Sequence, residues 1–528
     1  MPPPDSPAPL VRRLHLAVLL VILGIAGALF YQYRLFFHDD AYISLRYAQT
    51  FLSGGGLCWN PGERVEGYTN FLFVILTAAM GKCGVDLVVA ARLIGIGSYL
   101  LLVAFSARRF LRTHGSHSAN WLAVVPVVIL TTALPVIIWT LGGLETTLFA
   151  LLVTIGAVQF SDSMSDSRRS LMAPGLWFGL ATLCRPEGIL FVALGAAFAI
   201  VRGLQFERKW DHRLGLFVAG AAMLVLPHAI WRFNFYHSWL PNTFYVKASN
   251  LGSVVSYGWE YAGDFCRALP LVPWLVVIAL LCSVVTRTLR VRALWYLNVV
   301  SVYGAYIFAI GGDHMPGFRL FAPLIPVGGY LLYELLSEQK FLVRSTFQIA
   351  VVCAVLLLCT GQLFLPTEEY RRAKIRDGAA FLGEQVGKYM NANWPSRSLV
   401  ALNTAGSTPY FAPNLRFIDM LGLNDTTIAR RSNVPMRTKM QEWPGHQKGD
   451  GLYVLSRKPD YIIIGPANGD YANNFPWFLS DYELGGSELF LREYEPVKVI
   501  ISASEPGYKN YTESALGALR FVYYQRKK

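Results

Sequence analysis

Residues 38–70 read HDDAYISLRYAQTFLSGGGLCWNPGERVEGYTN and follow directly after an apolar segment, residues 14–30, that is long enough to cross a membrane. The stretch gathers carboxylates, arginines, glycines and aromatic residues at a membrane boundary. It predicts an amphipathic helix that lies along the bilayer surface and ends at the glycines of residues 54–56. The apolar face of this helix recurs at helical spacing and consists of Ala41, Leu45, Ala48 and Leu52.

Two adjacent carboxylates, Asp39 and Asp40, open the stretch, and they have two interpretations. In the structural one, Asp39 is the N-cap of the predicted helix and Asp40 is a first-turn charge that interacts favourably with the helix dipole. In the chemical one, the pair binds a divalent cation or takes a proton from a hydroxyl group. A divalent cation held by Asp39 and Asp40 is therefore a candidate cofactor, and no other cofactor is predicted.

Composition sets the class of protein. Hydrophobic residues make up 54% of the 528 residues, and apolar runs of membrane-spanning length recur up to residue 364. A soluble fold is excluded, and the sequence predicts a polytopic α-helical membrane protein. The net charge of +13 would indicate a nucleic-acid partner in a soluble chain, but here the arginines cluster in short loops between apolar runs. No nucleic-acid partner is predicted.

The positions of the arginines predict the orientation in the membrane. Arg12 and Arg13 precede the first apolar segment, which places the N-terminus in the cytoplasm and residue 38 outside. Later arginine-rich loops alternate with arginine-poor ones. This alternation agrees with the orientation only if the shorter apolar run at residues 69–84 does not cross the membrane. About eleven crossings then remain. The loops predicted to face the cytoplasm contain Arg109, Arg169, Arg213 and Arg290.

The loops predicted to lie outside collect most of the unusual polar residues. Taken singly, each has a structural alternative, such as Glu145 as a helix cap, Pro186 as a helix-start proline or Lys247 as an interfacial anchor. Their convergence on one side favours chemistry there, because the interiors of the spans hold almost none of the ionisable groups that an ion pathway requires. The first loop (31–85) contributes Asp39, Asp40, Arg64 and Glu66, and later loops contribute Glu145, Arg185, Glu187, Asn242, Lys247, Asp313, His314 and Arg319.

The composition changes after the last apolar run, and residues 366–528 predict a soluble α/β domain outside the membrane. The segment WPGHQKGDG at residues 443–451 contains His446 and Lys448 and is either part of a ligand cleft or, as its glycines favour, an ordinary loop. The pattern predicts helices near 368–390 and 450–457, strands at 398–403, 416–420 and 460–465, and terminal apolar runs at 497–503 and 520–524.

Several short motifs in combination resemble the bacterial membrane glycosyltransferases of the GT-C fold, and most of all the terminal arabinofuranosyltransferases of actinobacterial cell walls. The motifs are DDAYISLRYA, NPGERVEGYTN, GLET, RPEG, PNTFYVK, GGDHMPGFR, IDMLGLND and PGHQKGDGLYVLSRKPDYIII, and they cover almost the whole chain. The resemblance implies a GT-C-like membrane domain at residues 1–365, in the bacterial inner (cytoplasmic) membrane, followed by the α/β domain. It also implies a polyprenyl-phosphate sugar donor, such as an arabinofuranose donor, and inverting transfer to an envelope glycan, lipid or protein on the extracytoplasmic face.

The resemblance also implies roles for acidic residues. In the family the first-loop acidic pair is essential, which carries over to Asp39 and Asp40. The LGGLET loop resembles the second acidic external loop of oligosaccharyltransferase catalytic subunits, which adds Glu145, and Glu66 is the fourth candidate for catalysis. The GGD motif of the family is usually followed by an aromatic residue, and His314 departs from that pattern.

A lipid-phosphate donor needs cations for its leaving phosphate, a carboxylate for the acceptor hydroxyl and an apolar groove for its chain. Because a guanidinium binds two phosphate oxygens at once, the predicted phosphate ligands are Arg64, Arg185 and Arg319, with Lys247 as a point charge. We expect these four to converge on one site. The predicted substrate-binding residues are Tyr42, Arg46, Tyr68, Glu187, Asn242, Asp313 and His314.

Two alternatives from other classes of protein remain open. A lipid or sugar transporter would explain many spans and a polar external face, but it predicts broken mid-membrane helices with paired charges, which the sequence does not clearly show. A sensor that binds an envelope ligand through residues 366–528 would explain the soluble domain. It would leave the polarity of the first external loop without a reason.

Overall fold

The computed structural model describes the chain except for residues 1–8, 113–119, 205–210, 248–250, 287–289, 340, 341, 343, 365, 366, 444, 503–517 and 528. The described part is mostly helical. Up to residue 364 its helices are α1 (Pro9–Tyr33), α2 (Ala41–Leu52), α3 (Phe71–Lys82), α4 (Leu87–Arg112), α5 (Val125–Thr132), α6 (Leu134–Leu141), α7 (Thr146–Ser165), α8 (Met172–Cys184), α9 (Ile189–Arg202), α10 (Arg213–Tyr236), α11 (Asn242–Lys247), α12 (Leu251–Ala268), α13 (Leu271–Thr286), α14 (Val291–Ala309), α15 (Leu324–Ser337) and α16 (Ser345–Gly361).

The C-terminal part combines short helices with five strands. Its helices are α17 (Glu368–Arg372), α18 (Gly378–Asn393), α19 (Ser407–Phe411), α20 (Thr426–Ala429), α21 (Gly451–Ser456), α22 (Leu479–Gly485) and α23 (Glu488–Glu493). Its strands are β1 (Leu399–Leu402), β2 (Arg416–Asp419), β3 (Tyr461–Ile462), β4 (Tyr494–Ser502) and β5 (Ala518–Arg526). Short 3-10 helices occur at Trp121–Val124, Pro186–Gly188, Gln362–Phe364 and Lys439–Glu442.

The chain divides into two compact units, each built from three segments. The first unit comprises Met1–Leu35, Arg92–His228 and Val255–Lys374, and the second unit comprises Phe36–Ala91, Ala229–Val254 and Ile375–Lys528. The first polar loop therefore belongs to the same unit as the C-terminal α/β region. The predicted boundary at residues 365 and 366 falls outside the described residues, so the division into domains 1–365 and 366–528 stays a prediction.

Several helices are suited to cross a membrane. By length and composition, five described helices are long and apolar enough, at Leu16–Tyr33, Leu87–Arg112, Thr146–Ser165, Arg213–Tyr236 and Ser345–Phe364. A sixth span results if the bent pair Trp121–Thr132 and Leu134–Leu141, which meet at 48°, counts as one. Other apolar runs form shorter helices: the 13 residues of α8 rise only about 20 Å, whereas the hydrocarbon core is about 30 Å thick. The figure of about eleven crossings stays a prediction.

The break between α5 and α6 has a local cause. Ala133 is extended (φ −73°, ψ 115°), and Pro135 in the first turn of α6 has no N–H to continue the helix. The side chain of Gln362 satisfies the freed backbone groups, because it donates to the carbonyl of Thr132 at 2.7 Å and accepts from the N–H of Leu134 at 3.0 Å. Such compensation is what lets a broken helix persist where water is scarce.

An ion-pair cluster joins helices of the first unit. The guanidinium of Arg109 in α4 binds both oxygens of Asp162 in α7, at 2.7 and 3.1 Å. Arg169 and Arg292 lie 3.5 Å from the same carboxylate. The cluster therefore ties α4, α7 and α14 together at one end of the unit.

The C-terminal strands form one mixed sheet in the order β2-β1-β3-β5-β4. Strand β1 runs parallel to both β2 and β3, with Val400 opposite Phe417 and Tyr461, whereas β5 is antiparallel to β3 and β4. The predicted strands and the helix at 450–457 are confirmed. The helix predicted near 368–390 is instead two helices, because the Asp377 side chain accepts from the N–H of Ala380 and begins a new helix there.

Helix α2 ends at Leu52, just before the glycines at which the sequence predicts its end, but its predicted apolar face packs against protein. It packs against α3 and α19 inside the second unit. The predicted apolar face is buried except for Leu52, and the opposite face is buried as well: Tyr42, Arg46 and Tyr47 are 2%, 1% and 0% exposed. Arg46 occupies this interior because its guanidinium donates to the carbonyls of Trp59 and Pro409, at 3.1 and 2.9 Å. The surface-helix prediction is therefore wrong.

Candidate active site

The acidic pair lies in the turn that starts α2. Asp40, not Asp39, occupies the N-cap position, with helical φ and ψ of −60° and −21°, and its side chain makes no capping hydrogen bond. The carbonyl of Asp39 accepts from the N–H of Tyr42 at 2.9 Å, while its carboxylate points elsewhere. The structural interpretation of Asp39 as the N-cap of this helix is therefore wrong.

The carboxylate of Asp39 binds Ser407, the first residue of α19. Its Oδ1 atom accepts from the backbone N–H of Ser407 at 2.9 Å and from the hydroxyl of the same residue at 2.5 Å. Asp39 is only 7% exposed. Burial raises the pKa of Asp39 to about 6; the Ser407 hydrogen bonds oppose this rise, and the charges of Asp377 and Asp40 add to it.

Other polar side chains surround the acidic turn. His38 accepts from the N–H of Asp40 through Nδ1 at 3.2 Å, and its Nε2 lies 4.0 Å from Oδ2 of Asp377. The phenol of Tyr42 accepts from Arg376 at 2.9 Å, and its ring packs against Tyr410 and Phe411. Tyr42 and Arg46 thus have packing partners within the second unit, and their roles in binding a substrate stay predictions.

Glu66 forms a buried ion pair that the sequence did not predict. Both of its carboxylate oxygens lie near Nε of Arg232, at 3.1 and 2.9 Å. Glu66 is 3% exposed, and burial raises its pKa to about 7 although the Arg232 charge opposes the rise. Beside it the hydroxyls of Tyr68 and Tyr236 are 3.2 Å apart. The sequence analysis did not select Arg232 because it lies at the end of an apolar run. A charged residue in that position was the signal that could have indicated it.

Asn242 holds two loops of the second unit together. Its side-chain amide donates to the carbonyls of Gly422 and Leu423, at 2.7 and 3.1 Å, and its backbone N–H donates to the carbonyl of Glu66 at 2.8 Å. The two cations predicted nearby are exposed: Lys247 lies in the last turn of α11, and the guanidinium of Arg64 lies 5.0 Å from the ring centre of Phe235. Asn242 therefore has a structural role, and its role in binding a substrate stays a prediction.

In the first unit, Arg185 lies between two carboxylates. Its Nη1 is 3.2 Å from Oε1 of Glu145, and its Nε is 2.6 Å from Oε1 of Glu187. All three side chains are buried, and the hydroxyl of Tyr303 lies 3.5 Å from Glu187. Glu145 occupies the N-cap position of α7 without a side-chain capping bond, so its carboxylate serves this cluster instead. Pro186 begins a 3-10 helix, as the structural alternative predicted.

The GGDHMPGFR segment forms a second cluster in the first unit. Arg319 binds Asp313 at 2.7 Å, and its guanidinium lies 5.5 Å from the ring centre of Trp139. Nδ1 of His314 is 3.6 Å from Asp313. Gly312 has a φ of 73°, and an added Cβ would lie 2.4 Å from the ring of Tyr261, so this turn requires glycine.

The predicted site residues thus gather within each unit. Asp39, Asp40, Arg64 and Glu66 lie on one loop of the second unit, and Glu145, Arg185 and Glu187 meet in the first. Convergence of all four predicted phosphate ligands on one site stays a prediction. Within the described ranges, no group of three or more His, Cys, Asp or Glu side chains could hold a metal ion, and both bonds from Ser407 occupy one oxygen of Asp39. A cation at Asp39 and Asp40 also stays a prediction.

The fold matches that of a solved membrane protein. The chain superimposes on the crystal structures of ArnT from Cupriavidus metallidurans, bound to undecaprenyl phosphate and in the apo state, with TM-scores of 0.52 and 0.54 and 15% sequence identity. The matches cover 76% and 77% of this chain and 85% and 87% of ArnT. The predicted class, a GT-C-like polytopic helical membrane protein with a C-terminal α/β region, is therefore confirmed.

Sequence comparison is consistent with this class. The chain is 24% identical over an alignment of 336 residues to a terminal β-(1→2)-arabinofuranosyltransferase of Corynebacterium glutamicum, and the match covers 56% of this chain and 47% of that protein. It is 27% identical over an alignment of 353 residues to the protein of the same name from Mycobacterium tuberculosis, and this match covers 58% of this chain and 54% of that protein. The chain thus spans about half the length of these relatives. Residues 368–513 match a domain of unknown function, DUF8728. The predicted resemblance is confirmed.

Proposed function

We propose that this chain is a membrane glycosyltransferase that moves a sugar of the arabinofuranose type from a polyprenyl-phosphate donor to a hydroxyl group of a cell-envelope acceptor. Its similarity to two arabinofuranosyltransferases supports the sugar class, and the fold shared with ArnT, which was solved with undecaprenyl phosphate, supports the lipid donor. Transfer occurs on the extracytoplasmic face and inverts the anomeric carbon. The acceptor is an envelope glycan, lipid or protein.

The buried Asp39 carboxylate is the observation that carries the catalytic part of this proposal. Both hydrogen bonds from Ser407 end on Oδ1, which leaves Oδ2 to accept a proton. A general base works best when its pKa lies near the operating pH, and burial moves the pKa of Asp39 to about 6. We therefore assign the base to Asp39 ahead of Asp40, Glu66 and Glu145.

The reaction follows from these groups. Oδ2 of Asp39 takes the proton of the acceptor hydroxyl. At the same time the hydroxyl oxygen of the acceptor attacks the anomeric carbon from the face opposite the phosphate. The bond from the anomeric carbon to the phosphate oxygen breaks, and the electron pair leaves with the polyprenyl phosphate. Cationic side chains stabilise the charge that develops on that phosphate.

The phosphate ligands differ in how much charge they have to offer. Arg185 is shared by two carboxylates, and Arg319 is paired with Asp313 at 2.7 Å, so each is already neutralised. Arg64 and Lys247 are exposed side chains of the second unit. We therefore assign the phosphate first to Arg64, and contacts of Lys247, Arg185 and Arg319 with the donor stay predictions.

The test uses the purified full chain and a synthetic polyprenyl-phosphate arabinofuranose donor. Lipid extracted from the protein should carry a phosphate-linked sugar, and a hydroxyl-bearing acceptor should gain one sugar per donor consumed. The released lipid phosphate is measured in the same reaction. Movement of the intact donor across vesicles without any cleavage would overturn the proposal in favour of a transporter.

A further inference from the structure

We propose that Ser407 and Gly406 are positioning residues that aim the Asp39 carboxylate for proton transfer. The inference rests on the proposed function, in which Asp39 is the general base. Ser407 lies 368 positions from Asp39 along the chain, yet it supplies both hydrogen bonds to Oδ1. Its distance in sequence is the reason that no local motif predicts it.

Two donors on one oxygen fix the plane of the carboxylate. The N–H of Ser407 at 2.9 Å and its hydroxyl at 2.5 Å converge on Oδ1, so rotation about the Cβ–Cγ bond would break both contacts. The same hydroxyl also lies 3.2 Å from the carbonyl of Ala379. A hydroxyl has one hydrogen to donate, and the Asp39 carboxylate is both the nearer and the stronger of the two acceptors. The orientation of Oδ2 is therefore set by Ser407.

Gly406 allows the carboxylate to come this close. A Cβ added at Gly406 would lie 2.3 Å from the backbone oxygen of Asp39 and 2.4 Å from its Oδ2. Contacts this short do not occur, so any larger residue would displace the carboxylate or the turn that carries it. The requirement for glycine at this position is steric, because two oxygens of Asp39 lie where a Cβ would be placed.

A purely structural tether between Ser407 and Asp39 would use the same contacts as a positioning role. The two roles differ in their effect on the kinetics of the reaction. A tether affects folding alone, whereas a positioning contact affects the transition state, in which misplacement of a reacting group by about 1 Å costs roughly 100-fold in rate. Among the described residues, the titratable side chains near Asp39 include Asp40, His38 and Asp377, and none of the variants below changes them.

The experiment measures sugar transfer by the purified full chain in the variants Ser407→Ala, Ser407→Cys and Gly406→Ala. We expect kcat to fall about 10- to 100-fold in each, while KM for the donor stays within about twofold. Ser407→Cys retains nearly the volume of serine but donates weakly, so it tests the hydrogen bond where the alanine variant fails to fold.

Matched controls come from the same unit. Ser480 is fully buried and its hydroxyl bonds Asp450 and Met420, and a Cβ added at Gly451 would lie 2.8 Å from Glu483. We expect Ser480→Ala and Gly451→Ala to lower thermal stability and leave kcat of the folded fraction unchanged. Equal losses of kcat in the control variants would overturn the inference.

A parallel Asp39→Asn variant separates the inference from the function on which it rests. An inactive Asp39→Asn enzyme with a fully active, folded Ser407→Cys enzyme would overturn the positioning role and leave the base in place. Full activity of Asp39→Asn would overturn the assignment of the base, and the positioning role with it. Loss of kcat in both, with KM retained, is the expected result.

Discussion

Arg232 lies with its Nε atom 2.9 Å from Oε2 of Glu66, and both side chains are withdrawn from solvent. The pair joins the C-terminal end of α10 to the first polar loop within the second unit. It is the one close cation that the structure gives to Glu66 among the described residues. Removal of Arg232 therefore tests how much this ion pair stabilises the first polar loop.

We expect Arg232→Leu to destabilise the protein strongly. Removal of one partner leaves a buried carboxylate without compensation, which typically costs about 3 to 5 kcal/mol. The double variant Arg232→Leu with Glu66→Gln should recover much of the loss, because no charge is then left in the interior. Thermal unfolding of the detergent-solubilised variants measures both. A double variant no more stable than Arg232→Leu alone would contradict the pairing.

The stability of the protein should depend on pH through Glu66. The pKa of Glu66 is about 7 in the folded state and about 4.5 as an ordinary glutamate, so the folded state binds more protons between these values. The contribution of the group is therefore greatest at low pH and falls as pH rises from about 4.5 to about 7. The stability of the wild type relative to Glu66→Gln should decline across that window. A difference that does not change with pH would refute it.

Sugar transfer should distinguish the two residues of the acidic pair. Asp39→Asn should lose about 10² to 10⁴ in rate, the range for a general base, and should still bind the donor lipid. Asp40→Asn should stay folded, since the Asp40 side chain makes no capping bond in the structure. Donor binding and transfer by each purified variant are the measurements. Full activity in Asp39→Asn would move the base to Glu66 or Glu145.

Arg185 offers a test of the carboxylate cluster in the first unit. Lysine keeps the charge but lacks the fork that lets Arg185 bind Glu145 and Glu187 together, so Arg185→Lys should fold and transfer sugar more slowly. The control is Arg109→Lys, which changes a partly buried arginine-carboxylate pair of the same unit, with Asp162. We expect the control to lose stability only. Equal transfer by both variants would argue against a role for Arg185 in the reaction.

Orientation in the membrane is tested by labelling introduced cysteines. The arginine pattern predicts that residue 290 faces the cytoplasm, while residues 313 and 450 lie outside. An impermeant thiol reagent applied to intact cells should label cysteines at 313 and 450 and leave one at 290 unlabelled. Labelling only at 290 would reverse the proposed topology.

The extent to which the sequence predicted the fold depends on how local each signal is. The strands around Val400, Phe417 and Tyr461 were found because short apolar runs between turns carry their own pattern, and the end of α2 was found from its glycines. The surroundings of α2 could not be predicted in this way. A helix with one apolar face is amphipathic in sequence, but here a distant segment supplies carbonyls to Arg46 and buries the polar face too.

The candidate site shows the same limit. Asp39, Glu66 and Arg185 were chosen because carboxylates and arginines are unusual beside apolar runs. Their partners Ser407, Arg232 and Tyr303 could not be selected from the sequence. No distinctive pattern marks a serine, an arginine at the end of an apolar run or a tyrosine within such a run. Chemistry can be predicted from residue type, whereas the contacts that orient it depend on which distant segments meet.

The bond between Asp39 and Ser407 also has a consequence for biogenesis. Since 368 residues separate the two, Asp39 emerges from the ribosome long before its partner. At roughly 5 to 20 residues per second, the interval is about 20 to 70 seconds. During that time the first loop has left the translation machinery without the segment that completes it. Premature termination anywhere before residue 407 would therefore leave a nascent protein whose first polar loop stays unassembled, a form that quality-control proteases are suited to remove.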